Sequence, residues 1–255
     1  MNTAALSRFR ERTQLLGTWL SIGSPVIAEL AAESGFDWLL FDLEHGCGSE
    51  AALLGQLQAL RSTSAAAIVR VGAPHADLIA RVLDWGADGI MVPHVSTAAE
   101  AEACVRAMRY PPHGTRGFSR SVRAYGYGLR PPDAASLPQP LLFAQVETLE
   151  AVENARAIAA VDGVDGVDVL FVGPADLQFD LGTRAESATR TFADCLRHVA
   201  QAAAEADKLC GILVRDRAEL PRLRELGFTH LAIDSDLGIL RAGWQRIMAS
   251  HSKTS

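Results

Sequence analysis

The chain is predicted to fold as an α/β protein, a (β/α)8 TIM barrel, on three observations. Short β-rich apolar runs alternate with helical patterns from end to end. Eight such pairs can be counted, and 255 residues is a length that eight βα units commonly occupy. Each strand run is followed by a helical pattern, as expected for repeated βα units around a parallel sheet.

In order, the strands are "LLGTWLSIG" from Leu15, "DWLLFDLEH" from Asp37, "AAIVRVG" from Ala66 and "GIMVPHV" from Gly89. "LLFAQVET" from Leu141, "VLFVGP" from Val169, "LCGILV" from Leu209 and "HLAIDSD" from His230 complete the eight. The helices between them include "PVIAELAAESG", "SEAALLGQLQALRS", "PHADLIARVLDWGAD" and "TAAEAEACVRAMRY". Pro25 and Pro74 suit first helical turns, Ser49 and Thr97 can cap with their hydroxyls, and Gly35 and Gly86 suit helix ends where φ turns positive. One domain, 1–255, is expected. Its main irregularity is the Pro-, Gly- and Arg-rich segment 111–140, which leaves a helix at the barrel's N-terminal face and is long enough to cross to the other face or reach a neighbouring subunit.

Composition narrows the function. A net charge of −6 with dispersed basic residues gives no footprint for nucleic acid, and neither a polybasic amphipathic helix nor a long apolar run points to a membrane. With no secretory signal pattern, a cytoplasmic protein acting on a small molecule is expected. Cys47, Cys104, Cys195 and Cys210 form no C-x-x-C pair and are read as reduced thiols. The only lysines are Lys208, just before the seventh strand, and Lys253 in the tail. A Schiff-base aldolase needs an amine inside the barrel, so carbonyl chemistry here must run through a metal instead.

Chemistry in such barrels sits at the C-terminal ends of the strands. Trp19 and Ser21 end the first, Asp42, Glu44 and His45 the second, Arg70 the third, and Gln145 and Glu147 the fifth. Asp176 follows the sixth, and Asp234 and Asp236 end the eighth. By alternation Phe143, Gln145 and Glu147 point inward and Leu142, Ala144 and Val146 face helices. An ionised Glu147 there needs a cation, either a divalent ion or an arginine such as Arg70. In "VGPADL", Gly173 and Pro174 shape a tight loop that presents backbone N–H groups and Asp176 to the mouth, where two carboxylates suit Mg or Mn; N-capping is the other reading of Asp176. His45, beside carboxylates at a strand end, is a candidate general base, a combination that His75, His94, His113, His198, His230 and His251 lack. Arg70 calls for an anion, a ligand oxygen or Glu44.

"GTWLSIGSP", "FDLEHG", "RVG", "LDWGADGIMVPHV", "RYPPHGTRG", "QVET", "FVGPADL" and "DSDLG", in that order, resemble the HpcH/HpaI class II aldolases from about Gly17 to Leu240. The resemblance implies a phosphoenolpyruvate/pyruvate-type barrel and a metal-dependent pyruvate aldolase acting on 4-hydroxy-2-keto acids. It implies that Glu147 and Asp176 hold Mg, Mn or Co. Gln145 and the Gly173-Pro174-Ala175-Asp176 turn would hold pyruvate, with Trp19 at the rim. His45 would be the base, Asp42 its supporting neighbour and Arg70 the stabiliser of the enolate. Asp84 would raise the basicity of the histidine from across a subunit interface, within a homo-hexamer, a trimer of dimers that exchanges C-terminal helices. Three other readings stand beside it: a citryl-CoA or malyl-CoA lyase-like enzyme, a macrophomate-synthase-like enzyme, and a non-catalytic hexameric binding protein.

Overall fold

The computed structural model describes residues 3–11, 14–130, 132–133, 137, 139–161, 166–184 and 190–251. Eight parallel strands close in sequence order, β1 pairing with both β2 and β8. They are β1 (Leu15–Leu20), β2 (Trp38–Asp42), β3 (Ala66–Arg70), β4 (Gly89–Val92), β5 (Leu141–Val146), β6 (Val169–Val172), β7 (Leu209–Val214) and β8 (His230–Ser235). Each predicted strand is present, and the fold is the predicted (β/α)8 barrel. The helices are α1 (Thr3–Arg10), α2 (Pro25–Glu33), α3 (Glu50–Ala59), α4 (Ala76–Asp84), α5 (Ala98–Met108), α6 (Leu149–Glu153), α7 (Ala155–Ala159), α8 (Pro174–Thr183), α9 (Phe192–Glu205), α10 (Leu220–Glu225) and α11 (Asp236–His251). None is long and apolar enough to cross a membrane.

Strand parity divides the buried residues into two layers. Inward positions such as Trp38, Leu40, Ile68, Met91, Phe143 and Phe171 fill the barrel, while Leu39, Val69, Leu142 and Val146 pack under the helices. Trp38 is accommodated because Gly17 faces it: a Cβ there would lie 2.3 Å from the indole. α1 closes the N-terminal end, with the Phe9 ring 5.5 Å from Phe143 and 4.3 Å from the buried His230 imidazole.

That floor carries a pH dependence. Burial pushes the His230 pKa down to about 4 from 6.5, opposed by the bond of Nε2 to Phe9 O. The folded state therefore binds fewer protons than the unfolded chain. The stability this neutral imidazole lends is complete above pH 6.5 and lost as the pH falls toward 4, on the order of 3 kcal/mol in all. Urea midpoints measured between pH 7 and pH 4 should fall accordingly, and His230→Gln should flatten that part of the profile.

Local signals fared unevenly. Pro25 occupies the first turn of α2, Thr97 forms a capping box with Glu100, and Gly35 and Gly86 have φ of 91° and 94°. Pro74 instead precedes the N-cap His75, so it lies outside α4, and the Ser49 hydroxyl makes no capping bond. The described part of segment 111–140 stays on the N-terminal face. Arg123 donates to the carbonyls of Trp85 and Leu57 at the C-terminal ends of α4 and α3, so within one chain the described part does not cross to the other face. Lys208 precedes β7 as expected, and Lys253 lies outside the described residues.

Candidate active site

Parallel register sets the first contact. Asp42 and Arg70 are direct neighbours on β2 and β3, both at inward positions at the strand ends. The Arg70 fork donates to both Asp42 oxygens, Nε to Oδ1 at 2.9 Å and Nη2 to Oδ2 at 2.7 Å. Its Nη1 lies 2.9 Å from Glu44 Oε2, and the guanidinium stacks 5.2 Å from the Trp19 ring. Trp19 Nε1 also donates to Asp42. Arg70 thus pairs with Asp42 and Glu44 and not with Glu147. Burial opposes ionisation of Asp42, but the bond and charge of Arg70 and the N–H groups of His45 and Glu44 outweigh it and hold its carboxyl below the usual range.

Across the mouth, Glu147 is buried just past β5, and its Oε2 accepts from the N–H of His94 at 2.9 Å. Burial raises its pKa, the His94 N–H and ring oppose the shift, and Asp176 and Glu44 add to it. Gly173 leaves the space that Glu147 occupies: a Cβ there would lie 2.6 Å from Oε1. Gly173→Ala should therefore displace the carboxylate and lower kcat by at least about tenfold, since small misplacements at a reacting centre are costly; a steady-state assay beside a thermal midpoint checks that the loss is local.

Gly173 is also the N-cap of α8 and Pro174 its first residue, which overturns N-capping as the role of Asp176. Asp176 stands in the first turn, exposed, and no hydrogen bond among the described residues uses its carboxylate. The N–H groups of Ala175 and Asp176 are first-turn donors without an intrahelical partner, the arrangement that receives an anion at a helix start. Gln145 Oε1 is buried nearby without a partner among the described residues. Trp19, Asp42, His45, Arg70, Gln145 and the turn from Gly173 to Asp176 line one cavity of about 500 Å³.

His45 stands at this mouth, its side chain 66 % exposed and its Nε2 3.9 Å from Glu44 Oε1. Asp84 is not brought to it: at the last residue of α4 it lies at the other end of the barrel and pairs with Arg116 at 2.7 Å. One residue escaped the sequence reading. His94, in the left-handed region at φ 55°, sets its Nδ1 3.3 Å from Glu147 and its Nε2 3.7 Å from Glu44. The available signal was its position two residues past β4, next to the strand that carries Glu147.

Known proteins share this arrangement of chain. A 5-keto-4-deoxy-D-glucarate aldolase from Salmonella arizonae is 37% identical over 239 residues, covering 93% of this chain and 92% of that protein. The crystal structure of an HpcH/HpaI aldolase/citrate lyase family protein from Burkholderia cenocepacia superimposes with a TM-score of 0.88 at 33% identity, over 98% of this chain and all of that one. Macrophomate synthase superimposes with a TM-score of 0.79 at 25% identity, over 100% of this chain and 91% of its own. The pattern of one family spans residues 15–242, from the first strand to the second turn of the last helix, and with the barrel it fixes the assignment: the chain belongs to the HpcH/HpaI aldolase/citrate lyase family, as a carbon–carbon lyase.

Proposed function

We propose that this protein is a metal-dependent aldolase that cleaves and forms 4-hydroxy-2-keto acids through a pyruvate enolate, releasing pyruvate and an aldehyde. The observation that carries it is the convergence, on one cavity, of a fixed cation, an exposed imidazole, an amide side chain and a helix start beside the buried carboxylate of Glu147. The donor set fits a hard divalent ion: Glu147 and Asp176 are oxygen ligands, and Gln145 Oε1 lacks a partner. Among the described residues no three such side chains gather closely enough to hold an ion alone, so ligand and solvent oxygens would complete its shell. When bound, Mg, Mn or Co would supply Lewis acidity to the keto acid.

The chain's own groups account for the remaining chemistry. The Ala175 and Asp176 N–H groups receive the carboxylate of the keto acid, and the Gln145 amide orients it. Arg70, already locked by Asp42, Glu44 and Trp19, places fixed positive charge where the enolate develops and needs no reorganisation to do so. His45 takes the proton of the 4-hydroxyl as the C3–C4 bond breaks and gives a proton back to C3 of the enolate to form pyruvate; in synthesis it removes a proton from the methyl of pyruvate and returns one to the new alkoxide. Asp84 reaches a histidine only across a subunit contact. A homo-hexamer, a trimer of dimers with exchanged α11, is supported by the apolar side chains that α11 leaves in solvent, Trp244 at 64%, Ile247 at 64% and Met248 at 62% exposure.

The test is methyl exchange of pyruvate in D2O followed by NMR, with Mn or Mg and then with excess chelator. Exchange that requires the ion is expected; its absence under both conditions would sink the aldolase reading.

A further inference from the structure

His94 has no task in the chemistry proposed above, yet it stands against Glu147 in a backbone conformation that few side chains adopt. Its φ of 55° lies in the left-handed region, which His, Asn and Asp tolerate better than other residues with a side chain. The turn that carries it is fastened to β5 on both sides. Val92 is paired in register with Ala144, and Val95 N donates to Gln145 O at 3.2 Å, with Pro93 and His94 between these two anchors. Gln145 is two residues before Glu147, so the anchors set His94 beside that carboxylate.

Two contacts of His94 fall on the same oxygen. Its backbone N–H donates to Glu147 Oε2 at 2.9 Å, and its ring Nδ1 lies 3.3 Å from that atom. Nε2, 3.7 Å from Glu44 Oε1, is outside hydrogen-bond reach, so Glu147 is the nearer partner of the ring. Among the described residues no hydrogen bond uses Glu147 Oε1. That oxygen lies above Gly173, the N-cap of α8, in whose first turn Asp176 stands. The two oxygens of Glu147 are therefore unequal: one is tied to the turn after β4, and the other lies toward the helix that carries Asp176. A carboxylate tied in this way presents a single donor. Calcium takes six to eight oxygens and readily grips both oxygens of a carboxylate, whereas the smaller octahedral ions suit single donors.

We propose that His94 is a positioning residue for metal selectivity: by holding Oε2 of Glu147 it leaves Oε1 as the oxygen presented to a divalent ion, and so favours Mg or Mn over Ca. This rests on the ion site of the aldolase reading, with Glu147 and Asp176 as ligands. The ring is 61% exposed, so replacing it opens no cavity in the core.

The test titrates the metal-free protein with Mn in the absence of substrate, followed by electron paramagnetic resonance, alone and in competition with Ca, for the wild type, H94G and H94N. Glycine keeps the left-handed turn and its N–H but removes the ring. Asparagine tolerates the same turn and brings an amide nitrogen to the place of Nδ1. The wild type should prefer Mn over Ca, and H94G should lose at least about tenfold of that preference, as for removal of a group that orients a metal ligand. H94N should restore most of it. Equal weakening of both ions in H94G is what a looser turn alone would produce, and it would overturn the role of His94. An unchanged preference in H94G, or none in the wild type, would overturn it as well. Coupling of bound Mn to a ring nitrogen that disappears in H94G would make His94 a ligand and overturn the positioning role. Absence of Mn binding in the wild type would overturn the ion site and this role with it. Selective Mn binding without metal-dependent methyl exchange of pyruvate would instead be failure of the aldolase reading alone.

Discussion

Arg70→Ala is expected to lower kcat/KM for keto-acid cleavage by about a thousandfold, the upper range for losing one preorganised group opposite a developing oxyanion. The same change should destabilise the fold by about 3–5 kcal/mol, because two carboxylates in a buried pocket lose the guanidinium they share. The two effects separate by pH. In the wild type the Asp42 pKa is depressed, so its contribution is present above pH 3.8 and is lost as the pH falls through the folded value. In the variant the burial that opposes ionisation has lost its strongest counterweight. Asp42 can then be buried neutral in mild acid, and the stability deficit measured by urea unfolding should shrink as the pH is lowered from 7 toward 4. A deficit that grows with acid would show that Asp42 is not the group left unpaired. Arg70→Lys keeps the charge but loses the two-pronged bond and the stack on Trp19, so it should recover only part of either loss.

Glu147→Ala should abolish metal-dependent methyl exchange, with a loss of at least about a thousandfold, since it removes the deeply buried carboxylate of the proposed ion site. Mn binding followed by electron paramagnetic resonance should weaken in parallel. Stability should behave differently from the Arg70 variant. Glu147 is a buried carboxylate with no arginine partner among the described residues, held by the N–H and ring of His94, and deleting it removes a desolvated charge. The metal-free variant is therefore expected to unfold at a temperature no lower than the metal-free wild type. Full exchange activity in the variant would place the ion elsewhere.

The barrel was legible because parallel strands buried on both faces leave continuous apolar runs, and the turn between each run and the next helix is marked by Gly, Pro or a capping side chain. Alternation alone put Gln145 and Glu147 inside and Leu142 and Val146 outside, as found. The partner of Arg70 was only half legible. Glu44 was foreseen, while Asp42 became a direct ligand through a register that depends on how β2 and β3 align. His94 was passed over because its acidic neighbours are on other strands: Glu147 is 53 residues away in sequence and touches it only because β4 and β5 are adjacent. Asp176 was ambiguous for a local reason, since one carboxylate near a helix start can cap or coordinate. The cap falls at Gly173, three residues earlier. The reach of segment 111–140 depended on where the Arg123 side chain finds its carbonyls, which composition does not encode.

The stopper formed by α1 has a consequence for traffic. With Phe9, Trp38 and Phe143 packed across the floor, molecules enter and leave the barrel through the mouth alone. Of the groups proposed to hold the keto acid, Gln145 and Glu147 lie deepest, both buried inside the barrel. On the proposed assignment pyruvate is expected to arrive before the aldehyde in synthesis and to depart last in cleavage, an order set by the depth of the well.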